Sequence, residues 1–146
     1  MKHTTFVLLI TMSLLLASNQ TRSDAVADAK TFTLHPIGTV ERRDGRTLII
    51  LDEQYVPGLM GLEDFSQVTV VYWLDRNDTP EKRAILQVHP FGDPANPLRG
   101  VFSTRAPVRP NLIAISRCRI LSVEGNLVEI DGIDAFDGSP VLDLKN

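Results

Sequence analysis

Six short runs rich in aliphatic residues follow one another between positions 31 and 133, and Gly, Asn, Asp or Pro stands in every gap. They are TFTLHPIGTV (31–40), RTLIILD (46–52), VTVVYWL (68–74), RAILQVH (83–89), LIAISRCRIL (112–121) and NLVEIDGI (126–133). Runs this short suit strands, and the turn signals Asp44-Gly45 and Glu124-Gly125-Asn126 suit tight hairpins. VTVVYWL is the most apolar of them and predicts a central strand. Only PGLMGLEDF (57–65), with Leu59, Leu62 and Phe65 three apart, predicts a helix, and a short one. The chain is therefore expected to be all-β, a small barrel or sandwich with one short helix.

The amino terminus follows a different rule. Lys2 precedes an apolar run from Phe6 towards Ala17, broken by Thr11 and Ser13, and small residues come next. A run of that length falls short of the roughly 20 residues a membrane helix needs. Residues 1–25 are read as a cleavable signal peptide, with an uncleaved anchor as the alternative, and residues 26–33 as a flexible lead-in. Cleavage would place the protein outside the cytoplasm, secreted or periplasmic, with no stable membrane span. A non-functional signal would leave it cytoplasmic.

Without residues 1–25 the body keeps thirteen cations and seventeen carboxylates, a formal charge of −4. That balance argues against a broad nucleic-acid surface but leaves room for a small basic pocket. Cys118 is the only cysteine, which excludes an intrachain disulfide and a cysteine metal site. Set among Ser116, Arg117 and Arg119, it reads as a strand thiol and not a nucleophile. No glycine-rich phosphate loop, metalloprotease helix motif or nucleophile elbow occurs.

Two stretches carry chemistry. In TRAPVRPN (104–111) Pro107 and Pro110 fix their own φ and restrict the residues before them, so Arg105 and Arg109 sit in a stiff loop. A guanidinium is a planar donor suited to a carboxylate, a phosphate or a stacked ring. In DAFDGSPVLD (134–143) the Asp137-Gly138 turn exposes backbone donors, and Ser139 adds a hydroxyl. Together the loops would hold a small zwitterion that also carries a flat heteroaromatic group. The same charges would serve equally as an Arg–Asp bridge between two loops with no ligand.

GVFSTRAPVRPNLIAIS (100–116) and IDAFDGSPVLDLK (133–145) resemble, in the same order, two long motifs of the TsaA-like proteins. That family includes S-adenosylmethionine-dependent methyltransferases of threonylcarbamoyladenosine in tRNA. GLEDFSQ (61–67), VVYWL (70–74) and VHPFGDP (88–94) are similar to its shorter members, so the likeness runs from Ile37 to Lys145. It implies a small β-barrel domain over residues 34–146, a homodimer, and S-adenosylmethionine bound at or near the dimer interface. By position, Arg105 falls on a cofactor-contacting arginine, Ile115 on the backbone stretch beside the cofactor, and Ser139, Pro140 and Val141 on a closing loop. Arg109, Asn111 and Asp137 would shape the pocket. Asp75 and Arg76 take the place where the family often has a histidine and its neighbour, and Gln67 replaces another frequent histidine. Leu112 and Ala114 replace a Pro and a Gly, the N-terminal contact loop is shortened to ERRDG (41–45), and no C-terminal extension follows Asn146. No catalytic residue is assigned, Asp75 and Asp137 being the only candidates for a base. The function implied is a methyltransferase with tRNA as its family substrate, which the acidic body and the signal segment disfavour. The alternative is an exported, non-catalytic module binding a nucleoside-like ligand.

Overall fold

The computed structural model describes residues 30–146, and its compact barrel unit runs from Leu34 to Asn146. The signal segment and the first half of the lead-in expected from the sequence, residues 26–29, lie outside the described residues. Six antiparallel strands close into a barrel in the order β1 (Gly38–Arg43), β2 (Arg46–Leu51), β7 (Leu127–Ile130), β6 (Ile113–Glu124), β3 (Gln67–Trp73) and β8 (Pro140–Lys145). β4 (Gln87–Val88) and β5 (Arg99–Gly100) form a separate two-stranded ladder, and α1 (Pro80–Arg83) is a single helical turn. The expected all-β barrel is what the chain forms.

Local chemistry explains the hairpins. Asp44 and Gly45 both take positive φ, 51° and 76°, so the turn twists in the same sense as strands β1 and β2. Gly125, at φ 60°, opens the β6–β7 turn as the first central residue. In β3 the alternation is clean: Val68, Val70 and Tyr72 are buried and the residues between them are not. They pack with Val40, Ile49, Leu51, Val128, Ile130 and Val141 into one core.

Four expectations need correction. TFTLHPIGTV is not a strand throughout, because pairing begins only at Gly38, beyond Pro36. RAILQVH holds only the two paired residues of β4: Thr79 caps α1, its hydroxyl accepting from the Lys82 N–H at 3.3 Å, and Pro80 fills the first helical position, so Arg83 ends a helical turn. PGLMGLEDF forms no α-helix; Pro57 and the positive φ of Gly61 break it into two 3₁₀ turns, Glu53–Leu59 and Leu62–Asp64. Pro140 and Val141, placed on a closing loop by the resemblance, begin β8, with pairing shifted against β3 between Val71 and Tyr72 by a bulge.

The β1–β8 seam that closes the barrel is only two residue pairs long, Gly38 with Val141 and Thr39 with Pro140. A Cβ on Gly38 would overlap the Ile50 carbonyl oxygen of β2, a backbone atom that cannot swing away. Gly38→Ala is expected to destabilise the barrel by about 2 kcal/mol or more, read as a lower urea midpoint. Cys118 lies on β6 at 3% exposure, and burial, with Asp131 and Asp134 adding repulsion, pushes its thiol up to about 11 from 9.0. Between those values the unfolded thiol ionises while the folded one keeps its proton. The unfolded chain then binds fewer protons, so stability falls as pH rises through that window. Titrating stability from pH 8 to 11 is expected to show a steeper fall in the wild type than in Cys118→Ala.

Candidate functional site

Three irregular segments meet at one end of the barrel. The register of β3 and β6 sets Tyr72 opposite Ala114 and Trp73 opposite Ile113, so the end of one strand and the start of the other form a floor. Leu74 to Asn77 leave β3 in a 3₁₀ turn, Arg105 to Pro107 lie before β6, and residues 134–139 lead into β8. Residues from each segment border a cavity of about 600 Å³, within the range of small-molecule sites.

Of the residues singled out in the sequence, Asp75, Arg76, Arg105, Arg109, Ile115 and Ser139 line this cavity. The rest lie off its wall. Asn111 is exposed. The carboxylate of Asp137 accepts the backbone N–H of Arg42 at 2.7 Å. Pro140 pairs with Thr39 at the barrel seam, and Val141 is fully buried in the core. The lining also includes Lys82, Asp134 and Phe136, which the sequence reading did not single out.

The two arginines of TRAPVRPN have different jobs. Arg109 turns back on its own loop, donating to the carbonyls of Val101 at 2.7 Å and Thr104 at 3.2 Å. Its Nε is buried with no protein partner. Arg105 is exposed at the cavity and in no ion pair among the described residues. The prolines and Arg109 together hold the loop that presents Arg105. Leu112, where the family pattern has proline, takes φ 36° while fully buried, a backbone that proline cannot adopt. Its carbonyl accepts the Leu74 N–H at 2.9 Å, tying this loop to the end of β3.

The opposite wall is bonded in the same way. The buried Ser139 hydroxyl donates to Asp75 Oδ1 at 3.3 Å, and the Arg76 guanidinium lies 4.0 Å from the centre of the Phe136 ring. The alternative Arg–Asp bridge between the loops does not form among the described residues; a serine–aspartate bond and a cation–ring contact join the β3 end to residues 136–139. Behind them, Arg42 of ERRDG reaches across to donate to the carbonyls of Ile133 at 2.6 Å and Ala135 at 3.1 Å. Arg83 of α1 donates to Asp78 at 2.8 Å and to the Pro110 carbonyl at 2.8 Å. Hydrogen bonds from Arg83 and Trp73 hold the Asp78 carboxyl below the usual carboxylate range. Arg42 and Arg83 are not legible as wall residues from sequence, since the loop carbonyls they hold lie more than twenty positions away.

A family model of the tRNA-methyltransferase O N-terminal domain matches residues 28–146. The chain belongs to that family. A probable S-adenosyl-L-methionine-binding protein of Methanocaldococcus jannaschii is 43% identical over 114 residues, covering 78% of this chain and 90% of the relative. A tRNA (adenine(37)-N6)-methyltransferase of Mus musculus is 40% identical over 87 residues, but these cover only 20% of its length. The crystal structure of TrmO from Pseudomonas aeruginosa superposes with a TM-score of 0.61 at 27% identity over 81% of this chain. The present chain spans 55% of that TrmO chain.

Within this family member, Arg42 is the prop of one cavity wall. Arg42→Met keeps the aliphatic stem and loses the carbonyl bonds, so it is expected to cost about 1–2 kcal/mol in urea denaturation. Hydrogen exchange should accelerate at residues 135–139 in the same variant and leave β3 unchanged.

Proposed function

We propose that the cavity binds S-adenosylmethionine and that the protein is a methyltransferase acting on an adenine-type amine. The observation that carries the reading is the convergence of the Arg105 loop and the 134–139 loop on one cavity. Family membership and the names of the relatives support it.

The lining suits such a molecule. Arg105 is an uncommitted guanidinium for a carboxylate, and the buried Nε of Arg109 is an N–H still lacking an acceptor. Ile115 and Phe136 offer apolar contact to a flat ring. When bound, S-adenosylmethionine supplies an electrophilic methyl group on a sulfonium.

The chain's own contribution is mainly orientation in a partly dry pocket. Ser139 occupies Oδ1 of Asp75, leaving Oδ2 to accept the proton released by the acceptor nitrogen. This makes Asp75 the base of the reading. Asp137 is set aside because its carboxylate is bonded to β1 and does not line the cavity. A homodimer belongs to the same proposal; Phe91 and Phe102 are strongly exposed on the segment carrying β4 and β5 and offer apolar surface for it.

Calorimetric titration of the full chain with S-adenosylmethionine is expected to give micromolar binding. Arg105→Ala should weaken it at least about tenfold, the scale of one lost charge-assisted contact, without moving the thermal midpoint. Absence of heat at millimolar ligand would overturn the cofactor assignment.

A further inference from the structure

The cavity wall carries the opposite charge to the chain as a whole. Arg76, Lys82, Arg105 and Arg109 face Asp75 and Asp134 there, four cations against two carboxylates. The whole chain carries −3, so everything outside that wall carries −5. None of the four cations is in an ion pair among the described residues. Outside the wall Arg43, Arg46, Arg83, Arg119 and Lys145 each have a carboxylate partner, while Lys30, Arg42, Arg99 and Arg117 have none among the described residues.

Three of the wall cations are bonded, but to groups that cancel no charge. Lys82 Nζ donates to the Arg76 carbonyl at 3.0 Å and to Asn77 Oδ1 at 2.9 Å. Arg109 donates to two carbonyls, and Arg76 stacks on a ring. Such contacts fix where the charges sit and leave their mutual repulsion in place. S-adenosylmethionine does not relieve it. With one carboxylate, one ammonium and one sulfonium it is itself a net cation, so a loaded cavity is more positive than an empty one.

We infer that the methyl acceptor is a small molecule bearing a carboxylate or phosphate, and that Lys82 receives that anionic group. The inference rests on the cofactor reading above. Lys82 has three N–H donors and spends two, leaving one directed charge-assisted bond to give. It comes from α1, a segment separate from the loop that presents Arg105, so the two cations can serve different ligands. Size follows from the field. A polyanion is repelled by the net negative charge that the chain carries outside the wall, whereas a single small anion meets little of that repulsion and is drawn to the positive cavity.

The test is calorimetry on the full chain saturated with S-adenosylmethionine, titrated with adenosine, adenosine 5′-monophosphate, adenosine-5′-carboxylate and bulk tRNA. At least one of the two anions is expected to bind about tenfold or more tightly than adenosine and to weaken as salt rises. Preference for the phosphate or for the carboxylate identifies which anion the acceptor carries. Lys82→Gln should bring that preference to about threefold or less, with affinity for S-adenosylmethionine unchanged; Lys82→Arg should keep it. Equal affinity for adenosine and both anions overturns the inference. So does a preference that survives in Lys82→Gln, or tRNA binding more tightly than either anion. If S-adenosylmethionine itself does not bind, the cofactor reading fails separately. The same titrations of the free protein then decide the anion site by the same Lys82-dependent preference.

Discussion

Guanidinium groups bonded to main-chain carbonyls are what the cavity depends on. Arg42 holds Ile133 and Ala135, Arg83 holds Pro110, and Arg109 holds Val101 and Thr104. Each loop around the site lacks the ladder bonds of a strand, so its carbonyls need other donors. An arginine brings several N–H groups on a planar head, which lets one side chain fix two carbonyls at once. A bond of this kind to a charged group is worth about 1.5–3 kcal/mol, enough to choose among loop conformations that the barrel alone leaves open.

The barrel beneath is a separate layer of stability. Its core is aliphatic and continuous, and its strands are joined by hairpins whose turn residues match the required backbone. The site sits at the end where β3 and β6 leave the barrel, because there the ladder stops and side chains replace it. This division leaves the wall residues free to carry charge that the core would not tolerate.

Much of the fold was readable from the sequence because strand formation here follows local rules. The period-two burial of Val68, Val70 and Tyr72 and the Asp44-Gly45 and Gly125 turns are fixed by neighbouring residues. The failures have equally local causes. Thr79-Pro80 is a helix start hidden before a run that looks like a strand, and Pro57 and Gly61 break a helical spacing into 3₁₀ turns. PVLDLK was absorbed into a motif and so was missed as β8, although Val141 is among the most buried side chains of the chain.

The sequence by itself determined the all-β class, the two tight hairpins and the two stretches that would carry chemistry, since hydrophobic period, turn propensity and motif order are written in adjacent residues. Only the tertiary structure decided which of those residues share a cavity. Arg105 and Ser139 are brought to one cavity while Asp137 is turned to β1. It also decided that Arg109 is a brace and Lys82 a member of the wall. A guanidinium next to a proline reads the same whether its partner is a ligand or a distant carbonyl, and that choice is made only when the barrel closes and brings the carbonyl within reach.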